Sequence, residues 1–183
     1  GVIRADNFEA LFDYATALAM QPLPKGDRIA VITNAGGPGI MAADAVETLN
    51  MRMEDLTPEI AEAIKAKLPS AASVGNPIDV LGDADHARYA MALEATLADP
   101  LVDAVIVILT PQAMSDPSAT ADAIIKVAHG EKPVLACFMG GSEVMEARRN
   151  FVEASVPDYP SPERAVAAMK AMVDYALWLN CPP

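Results

Sequence analysis

The fold is decided by the stretch Arg28-Ile29-Ala30-Val31-Ile32-Thr33-Asn34-Ala35-Gly36-Gly37-Pro38-Gly39. Its apolar first half predicts a buried strand, and the apolar pattern over residues 40–49 predicts a helix directly after it. Glycines in the turn between them let backbone N–H groups approach a ligand, and the helix N-terminus adds partial positive charge. Such a turn suits an anion, although glycine here also suits close packing of the helix on the sheet. Both explanations stay open at this point.

The rest of the chain alternates apolar runs with helical stretches, which predicts βαβ units and a mainly parallel sheet. Strands are predicted at residues 28–33, 51–53, 102–109, 134–138 and 156–157. The segment 51–53 is a weak candidate, and 156–157 is a short edge strand. These five strands fit a flavodoxin-like α/β fold with sheet order 2-1-3-4-5 and helices on both faces. An N-terminal helix and connector over residues 1–27 precede the flavodoxin-like domain at 28–183.

A second polar turn, residues 110–116, follows the clean strand at 102–109. In a sheet of this order, ligands bind outside the carboxyl ends of the first and third strands. Thr110, Gln112 and Ser115 place uncharged polar groups there, and the next helix directs its N-terminus to the same place. Two converging helix N-termini make a better anion site than one. Ordinary helix capping by the side chains of this turn is the competing explanation.

The predicted binding residues for phosphate, or for a phosphorylated loop, come from these two turns. They are Asn34, Ala35, Gly36, Gly37, Gly39, Thr110, Pro111, Gln112, Ala113 and Ser115. A rim is predicted from Asp79, Gly82, Gly140 and Gly141. No Walker A, Gly-x-Ser-x-Gly, HExxH or CxxC pattern occurs, so no residue of this chain is predicted to be catalytic and no metal site is expected. The crevice therefore resembles part of an active site.

Composition narrows the classes of partner. The 183 residues carry a formal net charge of −12, which disfavours nucleic acid and anionic membranes. No apolar run is long enough to span a membrane, and no signal peptide is visible. Two scattered cysteines predict reduced thiols and a cytoplasmic location. The missing initiator methionine predicts a piece of a longer protein, and homo-oligomerisation stays open.

A dinucleotide site is an alternative hypothesis. Residues 37–42 match the pattern G-x-G-x-x-A, and Glu54 or Asp55 lies roughly where a ribose-binding acid would be. This pattern predicts an oxidoreductase domain that binds a nicotinamide or flavin cofactor. The weak strand at 51–53 counts against it, because the pattern is informative only within a βαβ unit.

Four motifs in order resemble the second flavodoxin-like, CoA-ligase domain of NDP-forming acyl-CoA synthetases, which are relatives of succinyl-CoA synthetase. The motifs lie at residues 31–39, 76–84, 109–114 and 138–141. The resemblance implies the reaction acyl-CoA plus phosphate plus ADP or GDP giving acid, CoA and ATP or GTP. In that family an acyl phosphate forms, a histidine on a mobile loop takes the phosphoryl group, and an ATP-grasp domain passes it to the nucleotide.

The resemblance also implies which parts lie elsewhere. The phosphohistidine is held between two helix N-termini, and the helix after residues 110–116 is this domain's expected contribution, with the turn 34–39 beside it. The phosphorylated histidine follows a glycine in the preceding domain, a setting that neither His86 nor His129 reproduces. The CoA-binding domain and the ATP-grasp domain are the expected partners, and the complete enzyme would use CoA, ATP or ADP, and Mg²⁺. This domain alone is expected to bind no cofactor except phosphate at the crevice, and to be inactive. A sensor or an acetyltransferase-fused binding module is the alternative function.

Overall fold

The computed structural model describes residues 2–180, within which four parallel strands and seven α-helices form. The strands are β1 (Ile29–Thr33), β2 (Ile78–Asp79), β3 (Ala104–Leu109) and β4 (Val134–Phe138). The helices are α1 (Phe8–Met20), α2 (Gly36–Thr48), α3 (Pro58–Lys65), α4 (His86–Ala98), α5 (Pro117–Val127), α6 (Met145–Glu153) and α7 (Pro162–Leu179), with a 3₁₀ turn at Ser142–Val144 before α6. In this part of the chain, no helix is both long enough and apolar enough to cross a membrane.

The sheet order is β2-β1-β3-β4, so the predicted α/β class and parallel sheet are confirmed. Every residue of β1 and β3 is buried, because both faces of these central strands are covered by helices. Ile29 and Val31 pack towards α1, α2 and α7, whereas Ala30 and Ile32 pack towards α3, α4, α5 and α6. The core therefore consists of two apolar layers, one on each face of the sheet.

The predicted second strand at residues 51–53 is wrong. Arg52 forms only an isolated bridge with Arg28, and the strand beside β1 is β2 instead. Between these two contacts, the side chain of Asn76 takes the place of a strand. Its Oδ1 accepts a hydrogen bond from Val31 N at 3.0 Å, and its Nδ2 donates to Ile29 O at 2.8 Å. The edge of β1 is thus satisfied by one amide side chain and two short segments, which leaves no room for a continuous strand.

The predicted fifth strand at residues 156–157 is also wrong. Asp158 forms a single bridge with Ala136 of β4, supported by a hydrogen bond from Ala136 N to Pro157 O. The next donor along β4, Phe138 N, is bound at 2.8 Å by the carboxylate Oδ1 of Asp158. Prolines at 157 and 160 supply no N–H group to a ladder. A side chain and two prolines therefore end the pairing after one residue.

Helix α1 packs directly against α7. Arg164 in the first turn of α7 binds Asp13 with two hydrogen bonds of 2.7 and 2.8 Å, and the hydroxyl of Tyr159 donates to Asp13 O at 3.0 Å. The N-terminal helix is held by the same core as the rest of the domain, and Ala17 is completely buried in it. The division of the chain into 1–27 and 28–183 stays a prediction.

Candidate anion-binding site

Helix α2 begins at Gly36, whereas the sequence pattern predicts a start at Ile40. The glycine turn is therefore the first turn of the helix itself. Ala35 is the N-cap residue and makes no side-chain capping hydrogen bond. The N–H groups of Gly36 and Gly37 have no acceptor inside the helix, as is general for a first turn. No acidic residue occupies this turn, so the partial positive charge of the helix N-terminus is not offset by the helix's own residues.

The glycines of this turn have different surroundings. A methyl group added at Gly36 or Gly37 would meet no atom within 4 Å, and both residues are exposed. A methyl group added at Gly39 would lie 2.9 Å from Thr33 Cγ2 and 3.6 Å from Pro77 Cβ. Gly39 is therefore required by close packing of the helix on the sheet. Gly36 and Gly37 leave open space in which a ligand can reach the backbone.

Asn34 joins the two predicted turns. Its side chain donates from Nδ2 to Thr110 O at 2.8 Å and accepts from Thr110 N at 2.9 Å through Oδ1. Asn34 is only 4% exposed, so its amide is directed to the neighbouring turn and not to solvent. Below this pair, the hydroxyl of Tyr89 donates to Ile108 O at 2.9 Å, and burial raises the pKa of Tyr89. The carboxyl ends of β1 and β3 are thus held together by polar side chains.

The second turn offers fewer open donors than α2. Gln112 N donates to Ser115 Oγ at 2.9 Å, and Ser115 N donates to Gln112 O at 3.0 Å. Helix α5 is capped by Asp116, whose Oδ1 accepts from Ala119 N at 2.9 Å. A carboxylate already lies at the N-terminus of α5 and opposes a second anion there. Electrostatically, the first turn of α2 is the better anion site.

The rim segments meet the two turns at the same edge of the sheet. A methyl group added at Gly82 would lie 3.7 Å from Gln112 Cδ, and one at Gly140 would lie 3.1 Å from Pro111 Cγ. Ala113 and Gly141 are exposed, Ala35 is half-buried, and Asp79 Oδ1 accepts from Leu81 N at 2.9 Å. All four predicted segments therefore lie beside one another at this edge of the sheet, around the candidate crevice.

The wall formed by residues 139–144 is supported by a buried ion pair. Arg148 Nε lies 3.0 Å from Asp158 Oδ2, and Arg148 Nη2 donates to Phe138 O at 2.8 Å. Burial raises the pKa of Asp158 to about 6, although Arg148 and the bond from Phe138 N oppose the shift. The two members of this ion pair thus bind both backbone groups of Phe138 at the end of β4, Asp158 its N–H and Arg148 its carbonyl.

Three residues that fix the strands of the sheet were not among the predicted site residues. Tyr89 had a usable signal, since it begins a buried stripe in α4 that continues at Ala92, Leu93 and Thr96. Asn76 and Asp158 had none, because each binds a strand that is distant in the sequence.

Together these features define an α/β domain that presents open backbone donors beside a polar crevice. The family model described as "Ligase-CoA domain" matches residues 29–179, and the chain belongs to that family.

Curated relatives match nearly the whole chain. The chain is 35% identical over 184 residues to 4-hydroxybutyrate–CoA ligase [ADP-forming] of Nitrosopumilus maritimus. This alignment covers 100% of this chain and 26% of that protein. It is 35% identical to acetate–CoA ligase [ADP-forming] I subunit alpha of Pyrococcus furiosus, with 97% of this chain and 39% of the relative covered. The chain therefore spans between a quarter and two fifths of these relatives.

Solved structures also match nearly the whole chain. A crystal structure from Pyrococcus horikoshii superposes with a TM-score of 0.93 at 32% identity, over 98% of this chain and 42% of that one. Dinucleotide-forming acetyl-coenzyme A synthetase 1 of Candidatus Korarchaeum cryptofilum, in complex with phosphate and ADP, superposes with a TM-score of 0.89 at 32% identity. That match covers 100% of this chain and 41% of the synthetase chain.

Proposed function

We propose that this chain is a domain of an ADP-forming acyl-CoA synthetase, which interconverts acyl-CoA, ADP and phosphate with acid, CoA and ATP. The relatives that match over its whole length are named as ADP-forming CoA ligases, and one structural neighbour holds phosphate and ADP. The observation that carries the proposal is the uncapped first turn of α2. It opens beside the carboxyl ends of β1 and β3, where α/β folds bind ligands.

The role of the domain is electrostatic. Phosphoryl transfer depends mainly on positioning and on stabilising charge that develops on the transferred group. Two N–H donors at Gly36 and Gly37, together with the helix dipole, supply that stabilisation without a reactive side chain. The charge of an arriving phosphoryl group is thereby opposed locally, even though the chain as a whole is acidic.

Helix α2 is the contribution that we assign to the phosphoryl site, in place of the helix that follows residues 110–116. The resemblance to the family placed α5 in that role. Asp116 and Ser115 already occupy donors at the start of α5 and in the turn before it, whereas Gly36 and Gly37 are open. The turn 110–115 then acts as the opposite wall of the crevice, held in place by Asn34.

The phosphoryl group arrives on another polypeptide segment in this proposal. Large exposed apolar side chains occur in the segments that follow β1, β3 and β4, with Ile40 exposed by 62%, Met114 by 75% and Met145 by 52%. Such residues cost free energy in water and favour contact with a protein surface, and methionine adapts to varied partners. This supports docking of a histidine-bearing loop, with inorganic phosphate alone as a weaker ligand.

Other parts of the reaction belong to other domains in this proposal. Within residues 2–180, no group of three or more His, Cys, Asp or Glu side chains is arranged to hold a metal ion. The proposal assigns Mg²⁺ to the domains that bind CoA and the nucleotide. His86 and His129 are both exposed, at the first position of α4 and just after α5. The proposed partners are a CoA-binding, phosphohistidine-bearing domain and an ATP-grasp domain. A cytoplasmic location and homo-oligomerisation stay predictions.

The alternative functions are less well supported. The dinucleotide hypothesis needs a second strand at residues 51–53, and this strand does not form. A sensor or acetyltransferase-fused module would keep the fold and lack synthesis of ATP, so activity of the complete enzyme separates it from the ligase.

The test is the substitution Gly37→Asp in the complete enzyme, with Gly130→Asp as the matched control. Both glycines accept a side chain without contact, but Gly130 lies just after α5, outside the crevice segments. Formation of ATP from acyl-CoA, ADP and phosphate should fall by about a hundredfold or more in Gly37→Asp, as on loss of an oxyanion donor. The control should keep the wild-type rate. Equal rates in the two variants would exclude α2 from the phosphoryl site.

A further inference from the structure

The loop at residues 80–84, termed the rim loop here, is held in a conformation that its sequence does not favour. Leu81 adopts a φ of 72°, in the left-handed region where a side chain costs free energy. Two local hydrogen bonds support it, from Leu81 N to Asp79 Oδ1 at 2.9 Å and from Ala84 N to Leu81 O at 3.0 Å. Such a conformation persists only where neighbouring groups fix it, so the groups that bind the rim loop decide its position.

Arg88 is the side chain of α4 that binds the rim loop, which is also joined to the end of β1 by a hydrogen bond from Val80 N to Thr33 O at 2.9 Å. From the first turn of α4, its Nη1 donates to Val80 O at 2.9 Å and to Asp83 Oδ1 at 2.7 Å. Its side chain is only 19% exposed, whereas that of Asp83 is 62% exposed. One partly desolvated guanidinium therefore links both ends of the loop to the helix, and a charged donor makes these bonds stronger than neutral ones.

The rim loop lies beside the turn at residues 110–115 and the carbonyl of Asn34. A methyl group added at Gly82 would lie 3.7 Å from both Cγ and Cδ of Gln112 and 3.8 Å from Asn34 O. Gln112 in turn donates from Nε2 to Thr110 Oγ1 at 3.3 Å. The position of the loop therefore bounds the space beside Gln112 and beside the backbone that leads into the first turn of α2.

We infer that Arg88 is a positioning residue that holds the rim loop beside Gln112 and thereby sets the distance between the first turn of α2 and the turn at residues 110–115. The effect of Arg88 on anion affinity rests on the proposed function of α2. The effect of Arg88 on the position of the rim loop does not. Arg88 touches no reacting group in this inference and acts through Val80, Asp83 and Gly82.

The test compares Arg88→Met with Arg149→Met by amide hydrogen exchange and by titration with inorganic phosphate, followed by NMR. Methionine retains the unbranched apolar stem, and Arg149 is an exposed arginine on α6. In Arg88→Met we expect protection of the Ala84 amide, which donates to Leu81 O, to fall by about tenfold or more, the scale of a hydrogen bond to a charged group. The Gln112 side-chain amide signals should move, and phosphate should bind more weakly. Arg149→Met should resemble the wild type.

The second arm uses relief of the strained backbone. Glycine adopts a positive φ without strain, so Leu81→Gly in the Arg88→Met background should restore much of the protection at Ala84. A purely structural role of Arg88 in folding predicts no such rescue. Unchanged protection and unchanged Gln112 signals in Arg88→Met would overturn the inference, whatever the phosphate result. If wild-type protein binds no phosphate while the loop still loosens, the proposed function of α2 fails and the positioning role stands.

Discussion

Gly39→Ala tests the distinction between packing and binding glycines in the first turn of α2. The added methyl group would lie 2.9 Å from Thr33 Cγ2, against the contact distance of about 3.5–4.0 Å between carbon atoms. Overpacking of this kind costs about 1–3 kcal/mol. The higher helix propensity of alanine offsets up to about 1 kcal/mol of this loss. The expected net loss in the free energy of unfolding is about 1–2 kcal/mol.

Thr33→Ser identifies the atom responsible. Serine keeps the hydroxyl that accepts from Ala35 N and donates to Ala35 O, and it removes the methyl group that blocks position 39. Alone it should cost about 1 kcal/mol for the lost buried methyl group. In the double variant with Gly39→Ala, the two losses should not add. Its free energy of unfolding should be higher, by about 1 kcal/mol, than the sum of the two single losses predicts.

The assay is urea denaturation of the chain, followed by circular dichroism, for the wild type, both single variants and the double variant. Gly37→Ala is the matched control, because its methyl group meets no atom within 4 Å. It should leave stability unchanged or raise it by up to about 1 kcal/mol. If Gly39→Ala were as stable as Gly37→Ala, or if the losses at positions 33 and 39 simply added, then close packing at Gly39 would be refuted.

Three further predictions concern the side chains beneath the crevice. Asn34→Ala leaves Thr110 N and O without their buried partner and should lower the free energy of unfolding by about 1–3 kcal/mol in urea denaturation. Tyr89→Phe removes only the hydroxyl that donates to Ile108 O, so a smaller loss of about 1 kcal/mol is expected in the same assay, and no loss would contradict this bond. Asp158 should titrate near pH 6 when its carboxyl carbon is followed by NMR, and a midpoint near its usual 3.8 would contradict the effect of burial. Because the folded protein holds this proton up to about pH 6, whereas the unfolded chain releases it near pH 3.8, this group lowers stability as pH rises through that window.

The central strands were predictable from the sequence, and the edges were not. Residues 29–32 and 104–109 are apolar at consecutive positions because both faces of β1 and β3 are buried, and this pattern is local. At the edges, Asn76 and Asp158 donate or accept in place of a neighbouring strand. Such replacements depend on where the tertiary structure places one polar side chain. The residue pattern within segments 51–53 and 156–157 does not indicate this.

The proximity of the two turns followed from the sequence, but the hydrogen-bond partners of their polar groups did not. The sequence placed the turns at Asn34 and Thr110 side by side, and the two residues are directly hydrogen bonded. Local patterns did not show that the Asn34 side chain is used internally. Nor did they show that α2 starts at Gly36, since glycine disfavours helix formation and a helix start was expected after the glycines. The free donors of the first turn became visible only with the backbone in place.

The most direct test of the anion site is a titration of ¹⁵N-labelled chain with inorganic phosphate, with every backbone amide followed by NMR. The amides of Gly36 and Gly37 should show the largest saturable shifts, and Ser118 and Ala119 at the start of α5 should stay nearly unchanged. The shifts should disappear in Gly37→Asp and persist in Gly130→Asp. Saturable shifts centred on Ser118 and Ala119, or none at Gly36 and Gly37, would contradict the assignment of the phosphoryl site to α2.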